Sequence, residues 1–171
     1  MEVKEGDVEI SFQLEDARMD RGSSLVVLKV SPISDQDMYL VKLRTAHHAF
    51  SLGCSVTCRT LADFYWLQKT LSAHHPHKSV PSLPVRPFVH LASPARVAAR
   101  LAAFLAAVVG QREYLGDRAL HLVLQTSLPV QRIQRNLEGL VDDEVDQQNH
   151  LADNRTNSRD GFQQIFGFQS N

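Results

Sequence analysis

A chain of 171 residues with 43% hydrophobic side chains has room for one well-cored domain and an appendage, and is short for two. Its net charge of −1 argues against general nucleic-acid binding. The longest apolar run, Leu101 to Val109, has nine residues, against the roughly twenty that a membrane span needs. The opening Met1-Glu2-Val3-Lys4-Glu5 is acidic rather than basic and apolar, so no secretory signal is expected. The chain is then expected in the cytosol, with Cys54 and Cys58 as free thiols.

Val8 to Leu14 alternates apolar with polar or acidic residues, the pattern of a half-buried strand. Leu25 to Val30, Tyr39 to Arg44 and Phe50 to Thr57 are further strand candidates, and a meander of three or four antiparallel strands follows from their spacing. Thr60 with Asp63 three residues on forms a capping-box pattern, and Leu61, Phe64, Leu67 and Leu71 then line one helical face. Trp66 is expected to pack on that helix. The helix is expected to end near His74-His75-Pro76-His77, where its dipole favours positive charge. Val80-Pro81-Ser82-Leu83-Pro84-Val85-Arg86-Pro87 cannot continue it, because three prolines remove donors and force extended neighbours. A stiff, exposed loop is the expectation.

Ser93-Pro94 reads as an N-cap with Pro at the first helical position, and Gly110 closes a helix whose buried face is Val97, Leu101, Phe104, Leu105 and Val108. Asp117 caps the next helix, through Leu120, Val123 and Leu124, limited by Pro129. Val130, Ile133 and Leu137 mark a short helix ending at Gly139. From Leu140 to Asp160 the chain is rich in Asp, Asn and Gln, which predicts an acidic mobile linker.

Charge is unevenly distributed. Residues 41–100 hold eight Lys/Arg against one acid, Asp63, and six of the eight histidines, so this block is cationic and becomes more so on acidification. Residues 1–40 and 101–171 are both net acidic. Cys54 and Cys58 with His47 and His48 have the wrong spacing for a zinc knuckle, and positions 54 and 58 of one strand are read as buried packing on a shared face. No Gly-rich phosphate loop, nucleophile elbow or paired-carboxylate motif is present, and Asp142, Asp143, Glu144 and Asp146 sit on the linker without the burial that tunes a general acid. Neither enzyme activity nor a metal or other cofactor is expected.

The order strand, capped helix, proline-rich loop, second helix resembles the PX (phox-homology) domain of sorting nexins. Ser11-Phe12-Gln13-Leu14-Glu15-Asp16-Ala17-Arg18 looks like the first strand and its exit in the sorting nexin ten and eleven subgroup, and Leu120 to Leu128 is similar to its last core helix. Ile165-Phe166-Gly167-Phe168 is similar to the extra helix that the subgroup carries beyond its core. The resemblance implies an α+β fold: a three- to four-stranded antiparallel sheet packed on a helical subdomain over residues 7–128, with a C-terminal helical extension over 129–171. Against the usual length of the first hairpin, Gly22 to Asp37 reads as an insertion.

In the family, a phosphoinositide is held by two basic residues followed by Tyr, two variable residues and Phe. The matching residues are Arg59, Thr60, Leu61, Ala62, Asp63 and Phe64, so the 3-phosphate arginine falls on Thr60 and the tyrosine beside the inositol ring on Leu61. Arg59 is expected to swing towards the helix N-terminus in compensation. The loop cation falls on Arg86, and the last arginine falls on Val97, flanked by Arg96 and Arg100. The resemblance thus implies lipid binding through Arg59, Arg86, Arg96 and Arg100, with Phe88, Val89 and Leu91 entering the bilayer. It implies a cytoplasmic adaptor, peripheral on endosomal membranes containing phosphatidylinositol 3-phosphate or a related anionic lipid, with trafficking proteins as further partners. The alternative expectation is a PX scaffold that has lost lipid recognition and serves protein interaction.

Overall fold

The computed structural model describes residues 6–16, 22–33, 37–84 and 92–139. Four strands, β1 (Val8–Asp16), β2 (Gly22–Pro32), β3 (Met38–Thr45) and β4 (Cys54–Thr60), form an antiparallel sheet in sequence order. Four helices follow: α1 (Leu61–His74), α2 (Pro94–Val109), α3 (Arg118–Gln125) and α4 (Val130–Leu137).

Period-two alternation sorts each strand into two faces. Ile10, Leu28, Leu43 and Ser55 lie in one cross-strand row and Val8, Val30, Val41 and Thr57 in the next, and this side turns towards the helices. Val26, Leu28 and Val30 of β2 are fully shielded, with α2 packed across β2 and β1. The strand expected at Leu25 to Val30 is present and longer, Gly22 to Pro32, a central strand hydrogen-bonded on both sides. Its polar start, Gly22-Ser23-Ser24, lies outside the apolar run and is strand because it pairs with the outer end of β1.

The fourth strand starts later than its composition suggests. Phe50 is buried in the preceding turn, its ring 5.1 Å from that of His121, and pairing with β3 begins only at Cys54. α1 opens with the expected capping box: Thr60 Oγ1 accepts from the Asp63 amide at 3.3 Å, and Asp63 Oδ2 accepts from the Thr60 amide at 2.8 Å. Leu61, Phe64, Leu67 and Leu71 are its buried face, with Tyr65 and Trp66 packed at the margin of the core.

The start of the proline-rich segment differs from expectation. Residues 81–84 are strapped to α1, with Gln68 Nε2 donating to the Pro81 carbonyl at 2.9 Å and the Tyr65 hydroxyl donating to that of Pro84. Leu83 is buried. Extended prolines leave their carbonyls free to accept, so polar side chains of α1 capture the segment. α2 is capped by Ser93, and α4 ends at Gly139, whose φ of 75° is a left-handed conformation favouring glycine.

Candidate functional site

β4 carries Ser55, Thr57 and Arg59 on its inner side. Arg59 therefore shares the parity of two core residues, and its guanidinium runs under the sheet into the C-terminal end of α3. Nε donates to Val123 O at 2.9 Å, Nη1 to Leu128 O at 2.6 Å, and Nη2 to Leu122 O at 3.2 Å and to Thr126 O. Leu122 and Val123 belong to the last turn of α3, at the negative end of its dipole, and Thr126 and Leu128 follow it; Leu122 O also takes the Thr126 amide. Burial lowers the Arg59 pKa, and the nearby Asp63 charge opposes the shift.

The expectation that Arg59 turns to the α1 N-terminus as a phosphate ligand is thus corrected. At 2% exposure, with every guanidinium nitrogen engaged, it is a structural clamp. The signal that could have shown this is the alternation Ser55, Thr57, Arg59.

The α1 N-terminus is itself occupied by protein groups. The Leu61 amide donates to Asp37 O at 3.0 Å and the Asp63 amide to Thr60, while the Asp63 carboxylate sits in the capping box and repels an incoming anion. Leu61 is buried in the core.

Pro81, Ser82, Leu83, Pro84, Arg100, Ala103 and Phe104 line a cleft of about 420 Å³ between the proline segment and α2. Arg100 brings the only charge among these lining residues. Arg96, four residues earlier and so on the same side of α2, is also exposed. Arg86, Phe88, Val89 and Leu91 lie outside the described residues.

The remaining cations of the 41–100 block are dispersed. Lys42 and Arg44 lie on the outer face of the sheet, Lys69 on α1, and Lys78 pairs with Glu113 at 2.5 Å. Cys54 and Cys58 share the outer face as predicted but are exposed rather than buried. Among the described residues no group of three or more His, Cys, Asp or Glu could hold a metal ion.

One polar cluster escaped the sequence reading. Asp117, the cap of α3, accepts from the Ala119 amide at 2.8 Å through Oδ1, while its Oδ2 contacts His74 Nδ1 at 2.8 Å and His75 Nε2 at 3.0 Å. Burial raises its pKa, but hydrogen bonds from His74, Ala119 and His75 outweigh this and hold the carboxyl below its ordinary value. The cluster joins the end of α1 to the start of α3.

The sheet, the helical layer and the cleft between proline segment and α2 stand together with one comparison. Residues 47–127 match the family model of the PX domain. The fold is a PX-type α+β arrangement. PX domains are generally phosphoinositide-binding modules of membrane trafficking and are not a catalytic fold. No curated protein matches the chain. No helix among the described residues is long and apolar enough to cross a membrane.

Proposed function

We propose that this protein is a peripheral adaptor of endosomal trafficking that holds the headgroup of phosphatidylinositol 3-phosphate or a related anionic lipid in the cleft beside α2. The observation that carries this reading is Arg100, an exposed guanidinium on a cleft of about 420 Å³ whose other lining residues are apolar or neutral, within a PX-type fold. Such a volume lies in the range of small-ligand sites, roughly 300–1,000 Å³. Arg96 extends the cationic side of α2, and Arg86 follows Pro84 by two residues in the chain. Phe88, Val89 and Leu91 would add apolar contact with the bilayer. Arg59 has no part in the site.

Flotation with vesicles of phosphatidylcholine, with and without phosphatidylinositol 3-phosphate, tests the reading. One charge-assisted contact is worth about 1.5–3 kcal/mol, so Arg100→Ala is expected to weaken binding about tenfold or more. Unchanged lipid-dependent binding in this variant would remove the cleft from the site.

The second reading, a PX scaffold serving protein interaction, is favoured by one specific observation: the Thr60–Asp63 box occupies the α1 N-terminus with a carboxylate. Flotation that fails with every anionic vesicle, for a protein whose thermal transition is normal, selects this reading.

A further inference from the structure

We propose that the outer face of the sheet around Lys42, Arg44 and Val56 is a docking surface for this chain's own acidic C-terminal segment, residues 140–171. The face is built by register. Val56 stands opposite Lys42, which stands opposite Lys29; Cys54 stands opposite Arg44, which stands opposite Val27; and Cys58 stands opposite Leu40. Val56 and Leu25 are 53% and 47% exposed, so these strands hold β-branched and aliphatic side chains in water. β4 is also an edge strand, and an uncovered edge with apolar side chains invites association.

Charge points to an anionic occupant. Lys29 and Lys42 are directly opposed, an unfavourable like-charge pair. Asp7 relieves it by binding Lys29 at 2.7 Å, and its own pKa is lowered by the hydrogen bonds from Lys29 and Ser31 and by the charges of Lys29 and Lys42. That single carboxylate leaves Lys42 and Arg44 with no ion pair among the described residues. Residues 140–171 contain six acids, Asp142, Asp143, Glu144, Asp146, Asp153 and Asp160, against two arginines, and end with the apolar Ile165, Phe166 and Phe168. One segment thus carries both complements of the face.

Reach selects this segment over a separate partner. The chain enters α4 beside β4, where Leu128 O accepts from Arg59, and α4 packs on α3. Residues 140–171 amount to roughly 100 Å of extended chain, enough to pass from the helical side round the β4 edge to the outer face of a sheet whose four strands span about 15 Å. The four acids of 142–146 are tethered to the domain through only a few residues, which raises their effective concentration at its surface over that of a separate partner.

Cys54 and Cys58 report directly on cover of this face. The rate at which a water-soluble maleimide labels them, read by mass spectrometry on the full-length protein, is compared between the native chain and the variant Asp142→Asn, Asp143→Asn, Glu144→Gln, Asp146→Asn. Labelling is expected to be about fivefold faster or more in the variant at low salt, and the native rate should approach it in high salt. Equal rates at low salt overturn the proposal. Protection that strengthens with protein concentration assigns the face to a second copy and also overturns it. As a second measurement, Phe166→Cys is expected to form an intramolecular disulfide with Cys54 or Cys58 on mild oxidation; bridges only between molecules would count against an internal tail.

Discussion

Arg59 and Arg100 stand on different elements, β4 and α2, and are put to opposite uses. Arg59 is on the inner parity of a strand, so the sheet itself drives it into the core, where carbonyls at and just beyond a helix end accept all of its nitrogens. Arg100 is on the outward side of a helix, beside a cleft that no described acid neutralises. A guanidinium's role is decided by which acceptors its backbone position lets it reach. Proximity to a motif in the sequence is secondary. The described members of the cationic block at 41–100 thus form no single surface: they serve the core, the outer sheet face and the cleft separately.

The largest effect expected from breaking this contrast is on stability at Arg59. Arg59→Met keeps bulk but leaves buried carbonyls at the end of α3 without donors, and should cost about 3 kcal/mol or more. The urea midpoint should fall with the slope unchanged. Arg59→Lys should recover only part, because an ammonium cannot reproduce the planar fork. Arg100→Ala, by comparison, should leave the midpoint in place while membrane binding falls. If Arg59→Met unfolds no earlier than the native protein, the clamp is not what holds α3 to β4.

The next effect is at the junction of α1 and α3. Asp117→Ala removes a helix cap and the shared partner of His74 and His75, and should cost about 2 kcal/mol. Its sign with pH follows from the lowered carboxyl pKa: the stabilisation is present above the unfolded value of 3.8 and is lost as pH falls through the lower folded value. Acid unfolding of the native protein below about pH 4 should therefore include a component that Asp117→Asn lacks. Parallel stability curves for the two proteins through that window would rule it out. The exposed pair of Lys78 and Glu113 is the control, and Glu113→Gln should leave the midpoint where it is.

Much of the fold was legible because it is local. Caps at Thr60, Ser93 and Asp117 and the three- and four-residue spacing of Leu101, Phe104 and Leu105 are written within one helical turn. What failed depends on partners distant in sequence. β2 starts three residues before its apolar run because Gly22, Ser23 and Ser24 acquire meaning only opposite Asp16, Glu15 and Leu14. Arg59 looked available because its acceptors, Leu122, Val123, Thr126 and Leu128, lie more than sixty residues away. The His74–His75–Asp117 cluster was invisible for the same reason, its closest members in sequence across the junction standing 42 positions apart. Of the candidate site, Arg96 and Arg100 are placed on one side of α2, and the cleft beside Arg100 could not be read from sequence because Gln68 and Tyr65 create it by strapping the proline segment down.

The smallest effect concerns the α1 N-terminus, and it separates a lost ligand from a repurposed position. Thr60→Ala removes one half of the capping box and should cost about 1 kcal/mol. Replacing Thr60 by Arg and Leu61 by Tyr restores the residue types of the PX motif, yet here Leu61 belongs to the core and the Asp63 carboxylate stands ready to pair with the new guanidinium. The double variant is therefore expected to show no gain in flotation with phosphatidylinositol 3-phosphate, and a gain should appear only when Asp63→Ala is added. An immediate gain from the double variant would mean that the carboxylate does not close this position, and that only the missing side chains do.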